Sequence, residues 1–184
     1  PRDRWDYTAT QQIMLADLPL GEDGADRRVV MQAPKNGFFY VLDAADGELI
    51  SATPFTAQNW TTGEFDENGR PVLIEEAVDL ALYAVVPGPT GAHNWHPMAF
   101  NPDTGLVYIP VNEIPFFYDK TRNVENSKSW WNVGYDVAAG WPVEYPAGTL
   151  DAVADLDGGS LLAWDPVKAE PRWAVPFALP LNGG

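Results

Sequence analysis

Apolar side chains along this chain gather in short runs cut by glycine, proline and acidic residues, a pattern of strands joined by tight turns. Val29, Val30 and Met31, within residues 28–32, predict one strand, and Phe38, Phe39, Tyr40, Val41 and Leu42 after Gly37 predict another. The second run has no charged position, which fits a strand covered on both faces. Asp43-Ala44-Ala45-Asp46-Gly47 supplies a turn in which Gly47 can take positive φ, and Glu48-Leu49-Ile50 returns as a strand.

The same hairpin recurs twice. Met98-Ala99-Phe100 leads through Asn101-Pro102-Asp103-Thr104-Gly105 into Leu106-Val107-Tyr108-Ile109. Residues 160–164 lead through a turn over 165–171 into Trp173-Ala174-Val175. A spacing of roughly sixty residues between these hairpins predicts about three blades of a β-propeller. An open β-sandwich is the rival all-β fold. The one helical signal covers residues 75–86, where Glu75, Glu76 and Asp79 alternate with Ala77, Leu80 and Leu82 before Pro87 and Pro89. Glycine and proline are spread evenly, so residues 1–184 read as one domain with no internal boundary. Three blades cannot close a ring and would leave open blade faces, so part of a longer propeller is expected.

Composition narrows the chemistry. With 46% hydrophobic residues and eight tryptophans the chain is globular, and its 26 acidic against 11 basic side chains give a formal charge of -15. Such a surface repels phosphate backbones, so no nucleic-acid partner is expected. The absence of cysteine excludes disulfides, thiolate metal sites, covalent haem attachment and a cysteine nucleophile within these residues. No run of apolar residues is long enough for a membrane-spanning helix.

Two segments carry candidate chemistry. Ala33-Pro34-Lys35-Asn36-Gly37 joins the first two predicted strands, so Lys35 projects from a strand end where a fixed positive charge can face a developing oxyanion. A solvated surface lysine is the plain alternative. Gly91-Ala92-His93-Asn94-Trp95-His96-Pro97 gathers two imidazoles, an amide and an indole in a loop before the Met98 strand. Three-residue spacing outside a helix does not bring His93 and His96 onto one metal ion, so hydrogen-bonded structural roles are expected for both. The Asn94 amide can both donate and accept to a ligand or can cap a turn. Asp151, Asp155 and Asp157 lack the spacing of a calcium loop and read as a solvated turn.

In order along the chain, Trp5-Asp6-Tyr7-Thr8-Ala9-Thr10-Gln11-Gln12, the stretch from Gln32 to Asp43, Gly91 to Met98, and Leu161-Leu162-Ala163-Trp164-Asp165-Pro166 resemble the pyrroloquinoline quinone (PQQ) dependent alcohol dehydrogenases. The wording is nearest to the quinohaemoprotein members of that family. The resemblance implies an eight-bladed propeller locked by tryptophan-docking hairpins, with PQQ and Ca2+ on its axis, and Trp173 as one docking indole. The hairpin departs from the family where Ala169-Glu170-Pro171 replaces the usual Thr-Gly. Lys35 matches the basic residue that contacts the quinone oxygens, and Asn94 and Trp95 match the loop that borders the cofactor. Trp5-Asp6 is assigned a structural role, with Trp5 buried and Asp6 accepting backbone hydrogen bonds.

By the same resemblance the catalytic base, the Ca2+ ligands and the groups above and below the PQQ ring lie upstream of Pro1, leaving no catalytic or metal residue in this chain. The implied activity is oxidation of a small-molecule alcohol to an aldehyde, with cytochrome c or a quinone-linked acceptor as the next electron carrier and a periplasmic location. Haem c in a domain outside this chain is a further cofactor that the resemblance leaves open. The alternative from another class is a non-catalytic propeller that binds a sugar or protein partner through aromatic loops. Titration of the isolated 184-residue chain with PQQ and Ca2+ is expected to show no saturable sub-micromolar binding; tight binding would place the missing groups within it.

Overall fold

The computed structural model describes residues 3–79, 83–118 and 158–177. Strands β1 (Met14–Leu18), β2 (Arg27–Gln32), β3 (Phe38–Asp43) and β4 (Leu49–Pro54) form an antiparallel sheet in chain order. After it come β5 (Thr61–Phe65), β6 (Pro71–Leu73), the short helix α1 (Glu75–Asp79) and β7 (Tyr83–Val85). Strands β8 (Ala99–Asn101), β9 (Leu106–Asn112), β10 (Phe116–Tyr118), β11 (Gly159–Asp165) and β12 (Glu170–Pro176) complete the order. Strands β8, β9, β11 and β12 make a second four-stranded sheet, while β5 pairs with β6 and β7 with β10.

Alternation along the strands decides which face each sheet buries. In β1, Met14, Ala16 and Leu18 point inward while Leu15 is exposed, and the register Met14↔Met31↔Val41 aligns apolar residues in a row across β1, β2 and β3. That face meets Val107, Ile109 and Val111 of β9 and Leu162 and Trp164 of β11 in one core cluster. Phe39 and Trp164 meet there with ring centroids 5.8 Å apart. Two four-stranded antiparallel sheets packed face to face are how successive propeller blades meet. The opposite face of β3 is also apolar: Phe38 and Tyr40 meet Trp60 and Phe65, and Trp5 joins that cluster. The reading of β3 as a strand covered on both faces therefore holds.

Two expectations need correction. The second and third hairpins belong to one sheet, because β9 and β11 pair directly from Gly159↔Asn112 to Trp164↔Val107. Among the described residues these two hairpins therefore count as one four-stranded sheet, beside the four-stranded sheet of β1 to β4. The predicted helix stops early: α1 ends at Asp79, and Tyr83–Val85 pairs with Phe116–Tyr118 as a strand. An aromatic and a β-branched residue just before Pro87 favour extended backbone, and the pairing settles it. Residues 80–82 and the aspartates at 151, 155 and 157 lie outside the described residues.

Trp173 lies on the outer face of the second sheet, 44% exposed, with its ring 5.8 Å from that of Tyr108. The two residues pair with Ala163 from opposite sides. In the turn before β12, Ala169 has φ of 54°, the left-handed region that favours glycine. The departure from the family's glycine thus falls on a position with a conformational cost. Ala169→Gly is expected to raise stability by about 1 kcal/mol, read as a higher urea midpoint at unchanged m-value; an unchanged or lower midpoint counts against strain at this turn.

Candidate functional site

The connection between β2 and β3 is short, buried and closed by backbone bonds. Gly37 donates to the Pro34 carbonyl at 3.3 Å, and Phe55 donates to the Gly37 carbonyl at 2.9 Å. Gly37 has φ of 90°, which lets the chain turn directly into β3. Lys35 at the tip is only 7% exposed. Its ammonium donates to the Asp6 carbonyl and to Asp6 Oδ2, each at 3.0 Å. Two of three ammonium donors are thereby used, and one remains for a ligand.

Asp6 differs from its expected role. Its carboxylate takes the Lys35 ammonium, and the backbone bonds expected of it go to Asp3, whose two carboxylate oxygens accept from the Trp5 and Tyr7 amides at 2.9 Å. The reason is local: Asp6 has φ of 63°, and the left-handed turn sends its side chain away from the neighbouring amides. Its side chain is 63% exposed although its partner is buried. Trp5 behaves as expected: it is buried and donates from Nε1 to the Ala77 carbonyl at 3.2 Å.

The 91–97 loop is stitched to the Lys35 loop. Ala92 donates to the Lys35 carbonyl at 2.9 Å and its own carbonyl accepts from Asn112 at 2.7 Å, tying the loop to the end of β9. Gly91, with φ of 81°, lies flat against the Lys35 stem, where an added Cβ would stand 2.4 Å from Lys35 Cγ. His93 is fully buried, with Nδ1 2.6 Å from the Ala33 carbonyl oxygen and Nε2 2.7 Å from that of His96. Burial pushes its pKa down, opposed by the two carbonyls. Both ring nitrogens face carbonyl oxygens, and the neutral ring donates its one N–H to one of them, in line with a hydrogen-bonded role. Among the described residues no three acidic or histidine side chains converge as a metal site.

Asn94 donates from Nδ2 to the Thr90 carbonyl at 2.9 Å, and Oδ1 faces the Gln11 amide nitrogen at 3.4 Å. Gln11 is buried, its carbonyl accepts from Gln32 at 2.9 Å, and its Oε1 has no protein partner. Trp95 is 84% exposed, so its indole presents an open face. The loops of Lys35 and Asn94 are brought together through the Ala92 bond, while their side chains share no hydrogen bond among the described residues. A cavity of about 330 Å³ lies on the other face of the first sheet, against Val30, Gln32, Asn36, Tyr40 and Leu42, and its lining does not include Lys35, Asn94 or Trp95.

Sequence reasoning missed three contributors: Asp6 as counter-charge, Gly91 as the flat surface under Lys35, and the inter-loop reach of His93. A glycine next to a loop rich in polar residues was the one available signal. The contacts themselves span 29 to 60 residues of sequence and obey no local pattern.

No family model matches the chain. Quinohemoprotein alcohol dehydrogenase ADH-IIG of Pseudomonas putida is 45% identical over 100% of this chain and 26% of its own length. The dehydrogenase subunit of alcohol dehydrogenase (quinone) of Acetobacter aceti is 43% identical over 100% of this chain and 25% of its own. In structure, the ADHIIG quinohemoprotein alcohol dehydrogenase from Pseudomonas putida HK5 superposes with a TM-score of 0.79 at 43% identity, covering 98% of this chain and 27% of that one. The chain spans about a quarter of the length of the curated relatives it matches.

Gly91→Ala sets a side chain into the Lys35 stem on left-handed backbone. It is expected to cost about 1–3 kcal/mol from the backbone alone, with a further loss from the displaced lysine. Chemical denaturation checks this; a cost within about 0.5 kcal/mol, the usual range at neutral surface sites, would mean that Gly91 and Lys35 do not touch.

Proposed function

We propose, since the chain belongs to the family of quinoprotein and quinohaemoprotein alcohol dehydrogenases, that it forms part of the cofactor site of a PQQ-dependent enzyme that oxidises a small alcohol to an aldehyde. The observation that carries this reading is a buried ammonium, Lys35, held beside an exposed carboxylate, Asp6, on a loop bonded to the Asn94–Trp95 loop. The donor set suits an anionic quinone: one ammonium N–H remains unused on Lys35, one amide N–H on Asn94, and the Trp95 ring offers an apolar face.

PQQ, when bound, supplies the two-electron acceptor for the hydride that leaves the alcohol carbon. Lys35 would offer its fixed positive charge to a quinone oxygen without rearrangement. Asn94 and Trp95 would border and orient the quinone. Asp6 is the carboxylate in this chain best placed to take the hydroxyl proton, because Oδ2 is anchored by Lys35 while Oδ1 carries no hydrogen bond among the described residues. On this reading the base stands beside Lys35, in place of the upstream base that the resemblance implied. The Ca2+ ligands stay outside the chain in this account, as does any haem c. The proposed electron acceptor is quinone-linked, as the name of the Acetobacter relative states for that protein; the proposed location is the periplasm.

In the complete enzyme, Lys35→Ala is expected to lower kcat by about 10²–10³-fold with a smaller effect on PQQ affinity, and Lys35→Arg is expected to be milder. Asp6→Asn should lower kcat by about 10²–10⁴-fold while leaving PQQ bound. Dye-linked turnover at saturating PQQ reads both. A fully loaded Lys35→Ala enzyme at the parental rate would remove Lys35 from the reaction, and an active Asp6→Asn enzyme would return the base to another residue.

A further inference from the structure

His93 is the residue whose burial the proposed chemistry does not use. It is fully buried, so its ring N–H must find an acceptor inside the protein. Its partners are two main-chain carbonyls that belong to different loops. Nε2 lies 2.7 Å from the His96 carbonyl oxygen within its own loop, and Nδ1 lies 2.6 Å from the Ala33 carbonyl oxygen at the start of the Lys35 loop. Ala33 stands two positions before Lys35, and His93 stands directly before Asn94 and Trp95.

We propose that His93 is a positioning residue: its Nδ1–H, donated to the Ala33 carbonyl, clasps the Lys35 loop to the Asn94–Trp95 loop and sets the spacing of the cofactor-facing groups. The clasp acts beside the Ala92 to Lys35 main-chain bond, so the two loops are tied at two points. One bond alone leaves a hinge; two fix both the separation and the angle between loops. The flat approach of Gly91 to the Lys35 stem permits that closeness. A ring at this position can reach across because the Ala33 carbonyl has no strand partner in the β2–β3 register, which runs from Val29↔Asp43 to Gln32↔Tyr40.

The clasp rests on the proposed cofactor site for its consequence, though not for its geometry, and two isosteric variants separate it from simple core filling. The Asn amide nitrogen falls near the position of Nδ1 and keeps the inter-loop bond, whereas the Gln amide nitrogen falls near Nε2, faces the His96 carbonyl and cannot make the inter-loop bond. Gln is the closer match to His in volume, so a filling role favours His93→Gln, and a clasp favours His93→Asn.

The experiment is amide hydrogen exchange by mass spectrometry on the complete enzyme, with PQQ titration of the same preparations. Faster exchange over residues 33–37 and 90–96 is expected in His93→Gln than in His93→Asn, with PQQ bound about three- to tenfold more weakly by the Gln variant. Equal exchange in the two variants, or a looser Asn variant, overturns the clasp. In the parental enzyme these segments should exchange as slowly as β9, and fast exchange there overturns it even where neither variant folds. If exchange follows the expected order while Lys35→Ala leaves PQQ affinity and turnover untouched, the clasp stands and the cofactor reading fails.

Discussion

The arrangement depends on a single constraint: a lysine ammonium almost wholly withdrawn from solvent must be met by negative charge and acceptors. Leaving it bare would cost several kcal/mol. Asp6 meets it twice, through its carbonyl and through its carboxylate, and does so from a left-handed backbone position that few non-glycine residues adopt. Strain of that kind persists where surrounding structure enforces it. Here Asp3 caps the neighbouring amides and Trp5 anchors the segment to Ala77, so the bend at Asp6 is held from both sides.

The rest of the frame brings the second loop to that pair. Two sheets share an apolar core; the Lys35 loop follows β2, and the loop before β8, bonded to the end of β9, meets it at Ala92. Because the main chain itself makes the link, the separation of the loops does not rely on flexible side chains. Polar tips on a rigid sheet framework are the usual means of holding groups for electrostatic work. Trp95 beside Asn94 in sequence is exposed, and Gln11, which faces Asn94, is buried with its Oε1 unpartnered among the described residues.

Much of the fold was legible because runs such as Val29-Val30-Met31 and Phe38 to Leu42 leave little choice but a buried strand. The strand β1 was harder, since Met14–Leu18 alternates over five residues with Asp17 among them, and its pairing with β2 is what fixes it. The pairing of β9 with β11 was not legible, because no local signal says that the second and third hairpins share one sheet. Lys35, Asn94 and Trp95 entered as candidates through loop position and resemblance, and the main chains of their two loops are bonded at Lys35 and Ala92. Asp6 was misjudged because its φ, and therefore the direction of its carboxylate, is set by packing around Trp5 that no periodicity records. His93 was read correctly as hydrogen-bonded, but not as a link between loops.

The central claim is that Asp6 and Lys35 act as one unit at the reacting centre. A double-mutant cycle on kcat/KM in the complete enzyme, with Asp6→Asn, Lys35→Ala and their combination, tests it most directly. The account predicts strong non-additivity, with the double variant no worse than the poorer single one, because removing either member disables the pair. Additive losses would show two residues working independently and would contradict the claim.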